Sequence, residues 1–159
     1  MARQRLVPEH HWGWRGEQWS TISQGWRAGN LVFVGGQVAL DEAGAIIGPG
    51  DIAEQTRAVY RAIQKVLGQA GATLADVVKI NSFLVTEAEG EAYDEFWRLM
   101  AAARREFFPD EGPCGTGVVV SRLVYPGLLI EVECVAVIPD DRLPRTAAPA
   151  ASAQPATAT

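Results

Sequence analysis

Residues 112–138 read GPCGTGVVVSRLVYPGLLIEVECVAVI, the clearest β signal in the chain. β-branched residues crowd two runs and the Pro126-Gly127 dipeptide separates them, so the stretch reads as a glycine loop, a strand, a turn and a second strand. Alternate side chains of an extended chain point to opposite faces. Leu128, Ile130, Val132, Cys134, Ala136 and Ile138 then form a wholly apolar face, and Leu129, Glu131, Glu133, Val135 and Val137 form the other. Carboxylates set among aliphatic side chains are costly to cover unless paired or hydrogen-bonded, so Glu131 or Glu133 needs a partner or a task. Backbone amides, or a lysine across an interface, would satisfy them without any chemistry.

Upstream, Thr21 to Gln37 reads as a hairpin: a short strand ending near Trp26, a turn at Ala28-Gly29-Asn30, then LVFVGGQ. Gly35-Gly36 is expected to end that strand where the backbone passes close to something, either in a bulge or against a ligand. Asp51 followed by Glu54 resembles a capping box. Behind it Ile52, Thr56, Val59, Ile63, Val66 and Ala70 recur as one helix stripe until Gly71. Residues 76–85 form the next strand, with Val78, Ile80, Ser82 and Leu84 on one face and Val77, Lys79, Asn81, Phe83 and Val85 on the other. A second amphipathic helix runs from Glu89 to Phe107, with Ala92, Phe96, Leu99, Ala103 and Phe107 inward, and Pro109 ends it. The order is strand, strand, helix, strand, helix, strand, strand. Right-handed crossovers put both helices on one face of the sheet. The other face, carrying Glu131, Glu133, Phe83 and Lys79, is left bare, and an exposed apolar face of that size predicts oligomerisation.

A chain of 159 residues, 48% hydrophobic, suffices for one domain. The net charge of −5, with no Lys/Arg run, argues against nucleic acid as partner. No apolar run approaches a membrane span or a signal peptide. Cys114 and Cys134 do not make a disulfide framework and suit a reducing, cytoplasmic compartment. Residues 1–19, with Trp12, Trp14 and Trp19, are expected to be an aromatic arm packing on the body or on a neighbouring subunit. Residues 20–139 are the domain, and the Ala/Pro/Thr-rich residues 140–159 are expected to be disordered. His10 and His11 are the only histidines, which argues against a zinc site and against a histidine-based catalytic triad.

Gln24-Gly25, Gly29-Asn30, the LVFVGGQ strand, the helix from Asp51 to Gly71, VVKINSFLV, Tyr93 to Trp97 and LLIEVECVAVI together resemble the reactive intermediate deaminase (Rid, YjgF-like) family over residues 20 to 138. The resemblance implies an α+β, chorismate-mutase-like fold with the ferredoxin-like order ββαβαββ. It also implies a homotrimer with a central β-barrel, ligand clefts between subunits, and hydrolysis of enamines and imines to 2-oxo acids and ammonia without metal or cofactor. Glu131 matches the family glutamate that orients water or shuttles protons, and Gly36 matches a pocket glycine. The family's pocket serine falls at Gly35, its tyrosine at Ile22, its asparagine near Gly90, its cysteine at Gly117, and its carboxylate-clamping arginine at Gly115. Glycine cannot replace a bidentate guanidinium, so the resemblance implies an altered substrate, uncharged or larger than a 2-imino acid.

Two functional readings follow. In one, Glu131 is the general acid or base of an imine or enamine hydrolase. Gly35, Gly36, Cys114, Gly115, Thr116 and Gly117 line its cleft, and the amides of residues 115–117 stabilise an oxyanion. Arg27 and Arg122 are candidates for the missing positive charge, and Cys114 reads as an inert thiol rather than a nucleophile. In the other, the trimer binds a small molecule or regulates without catalysis.

Overall fold

The computed structural model describes residues 3–9 and 21–143. Eight main elements follow in order: β1 (Arg3–Leu6), β2 (Gly25–Ala28), β3 (Leu31–Val38), α1 (Ile52–Gln69), β4 (Val77–Leu84), α2 (Gly90–Arg105), β5 (Cys114–Val119) and β6 (Ile130–Val137). The strands make one six-stranded sheet in the order β1-β2-β3-β6-β4-β5. All neighbours are antiparallel except β4 and β5, which run parallel because α2 carries the chain across between them.

β2 and β3 form the expected hairpin. Gly29 sits at φ +66° in its turn, a conformation that costs glycine nothing. β1 was not among the expected elements: Arg3–Leu6 pairs antiparallel with β2, and Leu6 is fully buried. Trp12, Trp14, Trp19 and both histidines of the arm lie outside the described residues, as does the tail from residue 144. At the other end, Asp140–Arg142 makes a 3-10 turn, and Arg142 pairs with the buried Asp76.

α1 begins where the capping signal put it. Asp51 accepts a hydrogen bond from Glu54 N at 3.0 Å, satisfying one of the free amides of the first turn. Its whole stripe, from Ile52 through Thr56, Val59, Ile63 and Val66 to Ala70, is buried against the sheet. The sheet side of that core is the apolar face expected of β6: Leu128, Ile130, Val132, Cys134, Ala136 and Ile138 are all buried. α2 lies on the same side and packs on α1, so both helices cover one face as expected. Only Met100 and Ala103 of α2 are buried, and Ala92 is exposed.

The alternation in β4 is broken at its start. A bulge between Val77 and Lys79 turns Val77 into the core and leaves Val78 47% exposed. β5 and β6 are not hairpin partners, because β4 lies between them. The uncovered face of the sheet carries Trp26, Leu31 and Phe33, all more than a third exposed, beside Lys79, Asn81, Glu131 and Glu133.

Candidate functional site

β3 does not end at its glycines. It runs on through Gly35-Gly36 with a bulge between Val34 and Gln37, so the bulge reading holds. Buried Gln37 braces the bulge, donating to Gly35 O and to Gln24 Oε1 at 2.9 Å each. The bulge brings the backbone of Gly36 under the side chain of Glu131: a Cβ there would lie 2.8 Å from Glu131 Cδ and closer still to Oε1. Only a residue without a side chain leaves the carboxylate in place. Gln55 fixes the approach to β6, accepting from Leu129 N at 2.8 Å and donating to Gly127 O at 2.9 Å.

The two carboxylates of β6 are treated differently. Glu133 accepts a hydrogen bond from Asn81 Nδ2 at 2.8 Å. Among the described residues, no hydrogen bond or ion pair reaches the half-buried carboxylate of Glu131. Burial pushes its pKa above the ordinary carboxylate value, and the charge of Glu133 pushes the same way. A group so held is poised to exchange a proton nearer neutrality than an exposed glutamate.

The structure brings Gly36 and Glu131 together, with Gly35 one residue away in the bulge. It keeps Cys114, Gly115, Thr116 and Gly117 of the same chain apart from them. Phe83 of β4 pairs with Glu131 on one side and Val118 on the other. The carboxylate and β5 are therefore two strand spacings apart, about 10 Å. Gly115 and Gly117 face the helices, while Thr116 faces the open side and accepts from Lys79 Nζ at 3.1 Å. Exposed Cys114 donates from Sγ to Val78 O at 3.1 Å. The thiol of Cys134 is buried and pushed up to about 12 by that burial, with Glu133 adding to it.

Two concavities flank β4. On the open face a cavity of about 300 Å³ is bounded by Ser23, Trp26, Phe33, Gly35, Lys79, Asn81 and Glu133. On the helix side a second, of about 250 Å³, lies between α2 and β5, with Ser82, Trp97, Arg104, Gly115 and Gly117 in its walls. Arg27, a candidate for the missing charge, is tied to backbone oxygens of Gly29 and Ala70 at 2.9 Å, and Arg122 is exposed outside both cavities. No group of three or more His, Cys, Asp or Glu that could hold a metal occurs among the described residues, and no helix among them is long and apolar enough to cross a membrane.

A six-stranded sheet covered by two helices on one side makes this a small α+β protein of chorismate-mutase-like fold. Residues 18–138 match the family described as Endoribonuclease L-PSP, and the chain belongs to that family, the YjgF/Rid proteins. It is 38% identical over 115 residues to a RutC family protein of Pyrococcus abyssi, covering 72% of this chain and 84% of that one. It is 37% identical over 110 residues to the 3-aminoacrylate deaminase RutC of Acinetobacter baylyi, covering 69% and 81%. A solved YjgF/YER057c/UK114 family member from Mycobacterium tuberculosis superposes with a TM-score of 0.69 at 33% identity, over 86% of this chain and 100% of that one.

Proposed function

We propose that the protein is a cofactor-independent hydrolase of imines or enamines, acting on a reactive small molecule in a cleft between subunits of a homotrimer. The observation that carries this reading is Glu131: a half-buried carboxylate with its pKa raised, no partner of its own, and a neighbour, Gly36, that leaves it room. As carboxylate it accepts a proton from a water adding to the imine carbon. As acid it returns that proton to nitrogen, giving a carbinolamine; the remaining hydroxyl proton then passes to nitrogen, the C–N bond breaks, and a carbonyl compound and ammonia leave. The relative named 3-aminoacrylate deaminase supports an enamine-type substrate.

The uncovered sheet face supports the assembly, since Trp26, Phe33 and Leu31 are apolar surface that a neighbouring copy would remove from water. A net charge of −5 disfavours a nucleic-acid backbone as ligand. Free cysteines at 114 and 134 suit the cytoplasm.

The test is ammonia release from freshly generated enamines and imines by wild type and Glu131→Gln. Turnover is expected in wild type and a loss of about a hundredfold to ten-thousandfold in the variant, the usual range for a proton-transfer group. A wild type that leaves the uncatalysed rate unchanged on every substrate would falsify the hydrolase reading and favour a binding protein.

A further inference from the structure

An unbroken β3–β6 ladder would set Gln37, not bare backbone, against Glu131. Counted on from the Val34–Cys134 pair without an extra residue, Gly36 would stand opposite Val132 and Gln37 opposite Glu131. Side chains of paired residues share a face, so the Gln37 amide would then lie beside the carboxylate. The bulge shifts the pairing by one. Gln37 stands opposite Val132 and Val38 opposite Glu131, while Gly35 and Gly36 together span Glu133. One extra residue in β3 thus takes a side chain away from Glu131 and brings the α-carbon of Gly36 to it.

That register has a cost at Gln37. The residue is 0% exposed, and a buried amide destabilises unless its hydrogen bonds are made. Its Nε2 donates to Gly35 O and to Gln24 Oε1 at 2.9 Å each. Gly35 O can only accept, which fixes the way the amide points. Oε1 is then left buried with no hydrogen-bond partner among the described residues. Only the donor end of the amide is satisfied, and both of its bonds lie at the bulge. Gly35 is held at its two polar groups, its N–H donating to Gln24 O at 2.9 Å and its carbonyl accepting from Gln37. A pair of glycines is the most freely moving backbone the chain can offer, so their position depends on such bonds.

We propose that Gln37 is a positioning residue for Glu131, its side-chain amide locking the Gly35–Gly36 bulge and so keeping clear the space in which the carboxylate works. The proposal rests on the reading of Glu131 as the proton-transfer group, and Gln37 acts on it only through the bulge.

NMR titration of the Glu131 carboxyl carbon, with kinetics on freshly generated enamines, tests this on full-length wild type and Gln37→Met. Methionine is close to glutamine in length and flexible, and it removes both donated bonds. In Gln37→Met the carboxyl is expected to titrate nearer the ordinary glutamate value than in wild type, with kcat about tenfold or more lower and KM within about twofold. A residue that only stabilised the fold would lower the melting temperature and leave the Glu131 titration where it was, and that result in a folded Gln37→Met overturns the proposal. A second measurement needs no variant: in wild type the Gln37 side-chain amide signal should move with the same midpoint as the Glu131 carboxyl, because the bulge links them. An amide signal that stays still through that titration overturns the proposal even if Gln37→Met does not fold. Wild type without turnover on any substrate sinks the catalytic reading of Glu131 instead, and the two titrations then still decide whether Gln37 sets the place of that carboxylate.

Discussion

Gly36 and Glu131 face each other across the β3–β6 pair with no space for a side chain between them, the Cβ position of residue 36 falling 2.8 Å from Glu131 Cδ. The carboxylate end of a glutamate is flexible, so a methyl group there is accommodated by moving Glu131 rather than the strands. Gly36→Ala is therefore expected to cost less than about 1 kcal/mol of stability. Its turnover should fall towards that of Glu131→Gln, and combining the two changes should add little. Chemical denaturation and ammonia release on the single and double variants check this, and an active Gly36→Ala would show that Glu131 needs no fixed position.

Glu131 also makes stability depend on pH. Its pKa is raised in the folded state, so its contribution is fully present below the ordinary glutamate value and is lost as pH rises through the folded value. Glu131→Gln should therefore melt higher than wild type at neutral pH and together with it in acid. Thermal melts across that range read the difference directly, and equal melting at neutral pH would mean that the charge is well solvated.

Asp76 behaves in the opposite sense. Burial raises its pKa, but hydrogen bonds from Thr73 N at 2.7 Å, from Thr73 Oγ1 at 3.1 Å and from Arg142 outweigh that and hold it below the ordinary value. Its contribution is present above the ordinary aspartate value and is lost as pH falls through the folded one. Asp76→Ala should cost about 1–3 kcal/mol at neutral pH, with the deficit shrinking in acid. Denaturant titration at the two pH values is the measurement.

The uncovered face predicts self-association. Phe33 of β3 is 44% exposed, beside Trp26 at 41%. Sedimentation of wild type should show a trimer, and Phe33→Glu, which puts a charge where a copy would pack, should shift it towards monomer. A monomeric wild type would remove the inter-subunit cleft from the functional reading.

Much of this fold was legible because the decisive patterns are local. The two-residue period of Ile130 to Ile138, the helix stripe from Ile52 to Ala70 and the Asp51 cap each report their own environment within a few residues. β1 was not, since a four-residue strand separated from its partner by a tryptophan-rich arm carries almost no periodic signal. The bulge at Val34–Gln37 was legible only as an alternative and that at Val77–Lys79 not at all, because both depend on what lies across the sheet. At the site, the mixed character of β6 pointed to Glu131 or Glu133 and the paired glycines to Gly35-Gly36, and the family resemblance chose Glu131 and Gly36 among them. That Glu131 and Cys114–Gly117 lie on strands separated by β4, and that Arg104 reaches the helix-side cavity, depend on strand order and helix placement.

β5 has a last consequence. All six of its residues are exposed, and among the described residues it pairs with β4 along one side only, so its other row of main-chain donors and acceptors has no strand beside it. It carries no lysine, proline or bulge of the sort that usually blunts such an edge, and two of its six residues are glycines. A rim like that is a template for any extended segment that meets it. The melting temperature of this protein should therefore rise with its own concentration, as it does for proteins whose folded form is completed by a copy of itself.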